Sequence, residues 1–272
     1  MNILSSIIAF YNTHGHKLRF PLAKKAQFVT ECGIVGEAIL RTQQDFDPRD
    51  RKNYALEETS ARRLLLWLIR GLFRAVSVIQ VEGQENLPLD GPVILAANHV
   101  NNFDVFPMQL AAPRPIFFMA KAELFNPLLD PLLRTLGAFP VNRGEKDEWA
   151  LLHARRVLAH GQTLGMFPEG KRSRGGGLSV AKTGAARMAI EMRCPIVPMV
   201  VIGTDVLFKR LPRRSHVSIK LLPPILPGSN DTPLSLTDRL MFSIAFELPA
   251  NMRGVYAEIP RGFGGWQRPF RD

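Results

Sequence analysis

The sequence predicts an α/β fold, a single domain with a central, mostly parallel or mixed sheet flanked by helices, preceded by an N-terminal amphipathic helical appendage. Three observations predict it. Short continuous apolar runs, clearest at residues 93–97 and 196–202, read as strands buried on both faces. From about Val76 onward such runs alternate with apolar-periodic segments of helical length. The turns richest in polar and charged residues each follow a strand, where open α/β sheets place their ligands.

The 272 residues, 46% apolar and 22% charged, suffice for one large domain with a sizeable core and exclude a chain disordered throughout. Lys and Arg number 35 against 24 acidic residues, a net charge of +11. That excess points to an anionic partner. Aromatics are mostly Phe, 17 against 3 Tyr and 3 Trp, without the basic-aromatic alternation of a single-strand binder. The expected partner is therefore an anionic membrane surface or a phosphate, and not nucleic acid. Cys32 and Cys194 lack metal or redox spacing and read as packing residues in a reducing compartment.

Residues 1–60 form the appendage, with a short helix possible at 3–11 and a charged connector at 45–52. The stretch lacks the basic start of a secretory signal. His14 and His16 have no third ligand nearby, so they read as solvated residues and no metal is expected. Residues 61–75 read as an interfacial amphipathic helix. Arg63, Trp67, Arg70 and Arg74 fall on one stripe beside a broad apolar face, which suits cations meeting lipid phosphates. A helix packed on the core fits the same pattern. No run reaches the roughly 18 apolar residues of a spanning helix, so any membrane contact is expected to be peripheral.

The α/β domain is assigned to residues 76–250. Strands are expected at 76–81, 93–97, 116–120, 138–141, 163–167, 196–202 and 217–222, with a loop over 83–91. Helices are expected at 105–112, 128–136, 145–160, 182–193 and 236–248. Gly161 reads as a helix terminator. Residues 251–272 are left as a C-terminal tail, loose from Arg261.

Three turns could carry chemistry. After the strand at 93–97 comes Asn98-His99-Val100-Asn101-Asn102-Phe103-Asp104. Five residues of regular helix would set His99 and Asp104 about 140° apart, so within one helix they would not meet. With His99 before the turn and Asp104 in the first helical turn, they can. A carboxylate would then hold one imidazole nitrogen and leave the other free as a general base. After 138–141 comes Asn142-Arg143-Gly144. After 163–167 comes Pro168-Glu169-Gly170-Lys171-Arg172-Ser173-Arg174, leading into three glycines. Arg143 and the three later cations suit a phosphate, although Lys171 to Arg174 read alone also fit a solvated loop.

Taken in order, Asn98-His99 with Asp104, then Gly137-x-Phe139-x-x-x-Arg143, then Phe167-Pro168-Glu169-Gly170-x-Arg172-Ser173, then Ile196-Val197-Pro198 resemble the four motif blocks of the glycerolipid acyltransferase family. The resemblance spans about residues 76–225, and Lys182-Thr183-Gly184 is similar to that family's Lys-x-Gly segment. It implies that the 76–250 domain is an acyltransferase domain that moves a fatty acyl group onto the free hydroxyl of a lysophospholipid. The acceptor it implies is 1-acylglycerol 3-phosphate, giving phosphatidate. His99 would be the base and Asp104 its orienter. Arg143 and Arg172 would hold the acceptor phosphate, with the extra cation Lys171 and Ser173 beside them. Glu169 and Gly170 would shape that site, and Pro198 would lie near the acyl or acceptor pocket. The donor would be acyl-CoA or acyl-carrier protein as co-substrate, with no cofactor, at the cytoplasmic side of a membrane. Asn101 stands where the family commonly has Ser, and Lys171 where it commonly has Thr, so another acceptor such as glycerol 3-phosphate stays open. A non-catalytic basic module bound to anionic membrane is the alternative without chemistry.

Overall fold

The computed structural model describes residues 47–142, 146–173, 177–209 and 212–258. Helix α1, Ser60–Val76, starts where the Thr59 side chain accepts the Arg62 backbone N–H, and it ends where Ser77 turns extended. Its inner side carries Phe73 and Val76, and Arg62, which is buried with its guanidinium donating to the Thr135 carbonyl and the Gln109 side chain. Seven strands follow: β1 Ser77–Glu82, β2 Val93–Ala97, β3 Ile116–Lys121, β4 Ala138–Val141, β5 Thr163–Met166, β6 Ile196–Ile202 and β7 Ser215–Leu221. Between them lie helices α2 Val105–Ala111, α3 Asp130–Thr135, α4 Glu148–Ala159 and α5 Gly184–Met192, and α6 Pro233–Glu247 closes the series.

The strands form one sheet in the order β1-β7-β6-β2-β5-β3-β4. Every pair is parallel except β6 and β7, so the sheet is mixed. The apolar runs are buried on both faces because each face has its own helices. Ile94 and Ala96 point into a core with residues of α4, α5 and α6. Val93, Leu95 and Ala97 point the other way, into a core with residues of α1 and α2.

Helix starts differ from the sequence expectation for local reasons. The Asp147 side chain accepts the Ala150 N–H and starts α4 at Glu148. The Lys182 N–H is taken by the Pro168 carbonyl, so α5 begins at Gly184. Thr232 and Ser235 form a capping box around Pro233, and α6 starts three residues before the expected 236.

Residues 47–59 lap over α4. Arg49 pairs with Asp147 at 2.5 Å and lies over the Trp149 ring, and Tyr54 packs on His153. No described helix is long and apolar enough to cross a membrane. Cys194 is buried, while Cys32, His14, His16 and the possible helix at 3–11 lie outside the described residues.

Candidate active site

β2 lies between β6 and β5, and the three strands run parallel, so the turns that follow them emerge side by side at one edge of the sheet. The turn after β2 carries His99 and Asp104, the turn after β5 carries residues 167–173, and the turn after β6 carries Thr204.

The first turn is shaped by Asp104. A 3₁₀ turn, Asn102–Asp104, sets its carboxylate back under the end of β2, where it is fully buried. Its Oδ2 accepts the Val100 N–H at 2.7 Å and the Asn101 N–H at 2.8 Å, and lies 2.8 Å from His99 Nδ1. Its Oδ1 accepts the Thr204 hydroxyl at 2.5 Å. Four donors around a carboxylate closed off from solvent fix its orientation. His99 Nδ1 is thereby committed as a donor, which leaves Nε2 as the ring nitrogen with the free lone pair. The imidazole lies against the Phe167 ring, with centroids 4.0 Å apart and planes 19° apart, and its accessible part lines an open cleft.

Glu169 supports the same histidine from the β5 side. Its carboxylate is buried; Oε1 accepts the His99 backbone N–H at 3.0 Å, and Oε2 accepts the N–H and hydroxyl of Ser179. The Ser173 N–H donates to the His99 carbonyl at 2.8 Å, so the β5 turn is stitched to the backbone of His99 on both sides. Glu169 therefore acts through the backbone and does not face the cleft. Gly170 has φ +66°, and a Cβ there would lie 3.2 Å from the Lys182 side chain, which leans across it.

The cleft measures about 650 Å³ and is lined by His99, Gly170, Lys171, Arg172 and Ser173 on one side and by Leu178, Ser179 and Val255 on the other. Lys171 and Arg172 are exposed and have no carboxylate partner among the described residues. Positive charge lining the same cleft as a lone-pair nitrogen can hold an anionic substrate while that nitrogen takes a proton from it.

Of the residues read from sequence, the fold brings His99, Gly170, Lys171, Arg172 and Ser173 into one cleft, with Asp104 and Glu169 directly behind. Arg143 and Arg174 lie outside the described residues. The end of β4 that leads to residue 143 stands three strands from β2, about 14 Å across the sheet. Pro198 is buried inside β6 and does not line the cleft. A proline inside a sheet normally forfeits a ladder bond. Here its carbonyl accepts the Leu222 N–H on the β7 side, at the point where pairing shifts register between Ile196–Ile225 and Met199–Leu221, so the missing donor faces a break in the ladder.

Trp67, Arg63, Arg70 and Arg74 are exposed on the outer face of α1, beside exposed Leu64, Leu68 and Leu72. No group of three metal-ligating side chains occurs among the described residues.

Three participants were not visible in the sequence pattern. Thr204, Ser179 and Val255 reach the site from distant segments. Residues 251–258, assigned to the tail, pack back on the site: the Leu178 N–H donates to the Met252 carbonyl, the Val255 N–H to the Leu178 carbonyl, and the Ala181 N–H to the Tyr256 hydroxyl.

The chain is similar to known proteins in sequence and in fold. A family model described as Acyltransferase matches residues 78–202. A 1-acyl-sn-glycerol-3-phosphate acyltransferase of Borreliella burgdorferi is 30% identical over 149 residues, 54% of this chain and 57% of that protein. The human 1-acyl-sn-glycerol-3-phosphate acyltransferase alpha is 27% identical over 224 residues, 77% of this chain and 78% of that protein. The chain thus spans less than two-thirds of the Borreliella burgdorferi relative and most of the human one. The crystal structure of the 1-acyl-sn-glycerophosphate acyltransferase PlsC from Thermotoga maritima shares the fold, with a TM-score of 0.53 at 24% identity over 82% of this chain and 92% of that one. The segment that matches the Acyltransferase family model takes in the turns after β2 and β5 and the whole of β6, and so carries the His99 and Asp104 turn and most of the cleft.

Proposed function

We propose that the protein transfers a fatty acyl group from a thioester, acyl-CoA or acyl-carrier protein, to the free hydroxyl of a lysophospholipid, with 1-acylglycerol 3-phosphate as acceptor and phosphatidate as product. The observation that carries this reading is the buried, four-donor Asp104 holding His99 Nδ1 at the mouth of a cleft edged by Lys171 and Arg172. The family and the printed activity of its relatives support the same reaction.

In this mechanism His99 Nε2 takes the proton of the acceptor hydroxyl as its oxygen attacks the thioester carbonyl. The imidazolium is stabilised by Asp104, which keeps its charge throughout. Collapse of the tetrahedral intermediate breaks the C–S bond, and the imidazolium returns the proton to the leaving thiolate. No acyl-enzyme forms and no cofactor takes part. Lys171 and Arg172, together with Arg143, bind the acceptor phosphate, which brings the hydroxyl to the imidazole. The outer face of α1, with Leu64, Trp67, Leu68 and Leu72 beside Arg63, Arg70 and Arg74, rests on an anionic membrane as a peripheral contact.

The test is an acceptor panel. Purified protein with acyl-CoA is given lysophosphatidate, glycerol 3-phosphate or lysophosphatidylcholine in mixed micelles, and products are identified by mass. Phosphatidate as the dominant product is expected. Faster acylation of either other acceptor would move the assignment to that substrate, and no thioester consumption with any of them would end it.

A further inference from the structure

The turn after β6 joins the site through a set of bonds that the transfer reaction does not itself require. Asn98, at the end of β2, exchanges two bonds with the Val201 backbone, both at 2.8 Å, which fixes the ends of β2 and β6 against each other. Gly203 then turns the chain with φ +89°, where a Cβ would lie 2.0 Å from the His216 carbonyl oxygen. Only glycine can make that turn, and it delivers Thr204 beneath Asp104. Thr204 is fully buried. Its hydroxyl donates to Asp104 Oδ1 at 2.5 Å, and its carbonyl accepts the Asn101 side-chain amide at 3.0 Å.

The division of donors on Asp104 gives this contact its weight. Oδ2 receives the Val100 and Asn101 N–H groups and faces His99, while Thr204 is the only described donor on Oδ1. Rotation of the carboxylate about its Cβ–Cγ bond would swing Oδ2 away from His99 Nδ1, and the Thr204 hydroxyl opposes that rotation from the far side.

We propose that Thr204 is a positioning residue for the His99–Asp104 pair, pinning the carboxylate through its hydroxyl and held in place itself by Asn101. Asn101, a departure from the usual family residue, thereby ties the β2 turn to the β6 turn. The proposal rests on the acyl-transfer reading for its kinetic consequences and on geometry alone for its effect on the imidazole.

The test compares the native protein with Thr204→Val, which keeps the shape and removes the donor, and Thr204→Ser, which keeps the donor. In the thioester assay Thr204→Val is expected to lower kcat by about 10- to 100-fold with KM little changed, and Thr204→Ser to return within about threefold of native. The ring ¹H–¹⁵N NMR signal of His99 Nδ1–H, recorded without substrate, is expected to be kept in Thr204→Ser and to broaden or shift in Thr204→Val, because the unpinned carboxylate no longer holds that proton in one place. If Thr204→Val does not fold, Thr204→Cys, a weaker donor of similar size, carries the same comparison. Native kcat together with an unchanged Nδ1–H signal in the donor-free variant overturns the proposal. Equal losses in the Val and Ser variants with an unchanged Nδ1–H signal also overturn it, since that is what a purely structural threonine gives. If the native protein transfers no acyl group to any acceptor, the acyl-transfer reading fails, and the Nδ1–H signal alone still decides the role of Thr204.

Discussion

Replacing Asp104 with Asn isolates the charge behind His99 from the shape around it. The amide oxygen can occupy the Oδ2 position, where it still accepts the fixed N–H groups of Val100 and Asn101. The amide NH₂ then occupies the Oδ1 position and can donate to the Thr204 hydroxyl, which turns to accept it. The turn therefore keeps its partners and the protein is expected to fold. What is lost is the anion 2.8 Å from His99 Nδ1. A charge-assisted bond contributes about 1.5–3 kcal/mol where a neutral one contributes about 1, and the imidazolium formed during transfer loses the buried counter-ion behind it. The combined loss of transition-state stabilisation is about 3 kcal/mol, or about 10²-fold in kcat, with KM unchanged because Asp104 does not reach the cleft. Steady-state thioester consumption with lysophosphatidate, alongside circular dichroism to confirm folding, measures it. A folded Asp104→Asn protein with kcat within threefold of native would refute the reasoning.

Four further outcomes follow from the same geometry. Lys171→Ala and Arg172→Ala should each raise the KM for lysophosphatidate about 10-fold with smaller effects on kcat, read from acceptor saturation curves. Glu169→Gln places an amide NH₂ against the N–H of Ser179, so unfolding free energy from urea titration should fall by about 1–3 kcal/mol. His153, enclosed by Tyr54, Phe139 and Trp149 with both ring nitrogens unpartnered, has its pKa pushed by burial down to about 4 from an ordinary 6.5. The unfolded chain therefore binds a proton that the fold refuses. Stability is whole above pH 6.5 and declines as pH falls toward 4, by about 2 kcal/mol at pH 5 from this residue. His153→Phe should flatten that part of the pH dependence in urea unfolding. Ser at Leu64, Trp67 and Leu72 together should weaken sedimentation with anionic vesicles about 10-fold or more while leaving transfer to monomeric acceptor intact.

Much of the fold was legible because burial on both faces leaves a direct mark. β2 and β6 are unbroken apolar runs, and such runs alternating with helices leave few arrangements besides a covered sheet. Strand direction leaves no such mark. β7 alternates buried and exposed residues as a parallel or an antiparallel strand would, so its reversal beside β6 appeared only in the pairing. Helix starts shifted where caps and tertiary bonds outweighed periodicity, as at Asp147 and Lys182.

In the site, His99 and Asp104 were readable because they share one short turn. Thr204 lies 100 residues from Asp104, and nothing in the chain marks it until β6 is known to lie beside β2. Ser179 and residues 251–258 escaped for the same reason: a Gly-rich loop and a tail carry no periodic signal, and their packing depends on each other. Asn101 was legible as a departure, and its partner across the sheet explains what the amide does there. Glu169 was read as a wall of the acceptor site, and its bonds show a brace on the His99 and Ser179 backbones.

The central claim is that His99, held by Asp104, takes the acceptor proton. Its most direct test is single-turnover thioester cleavage with saturating acyl-CoA and lysophosphatidate, comparing native protein with His99→Ala at matched folded concentration. The account predicts phosphatidate from the native protein and a rate at least about 10²-fold lower in the variant. Equal rates would contradict it.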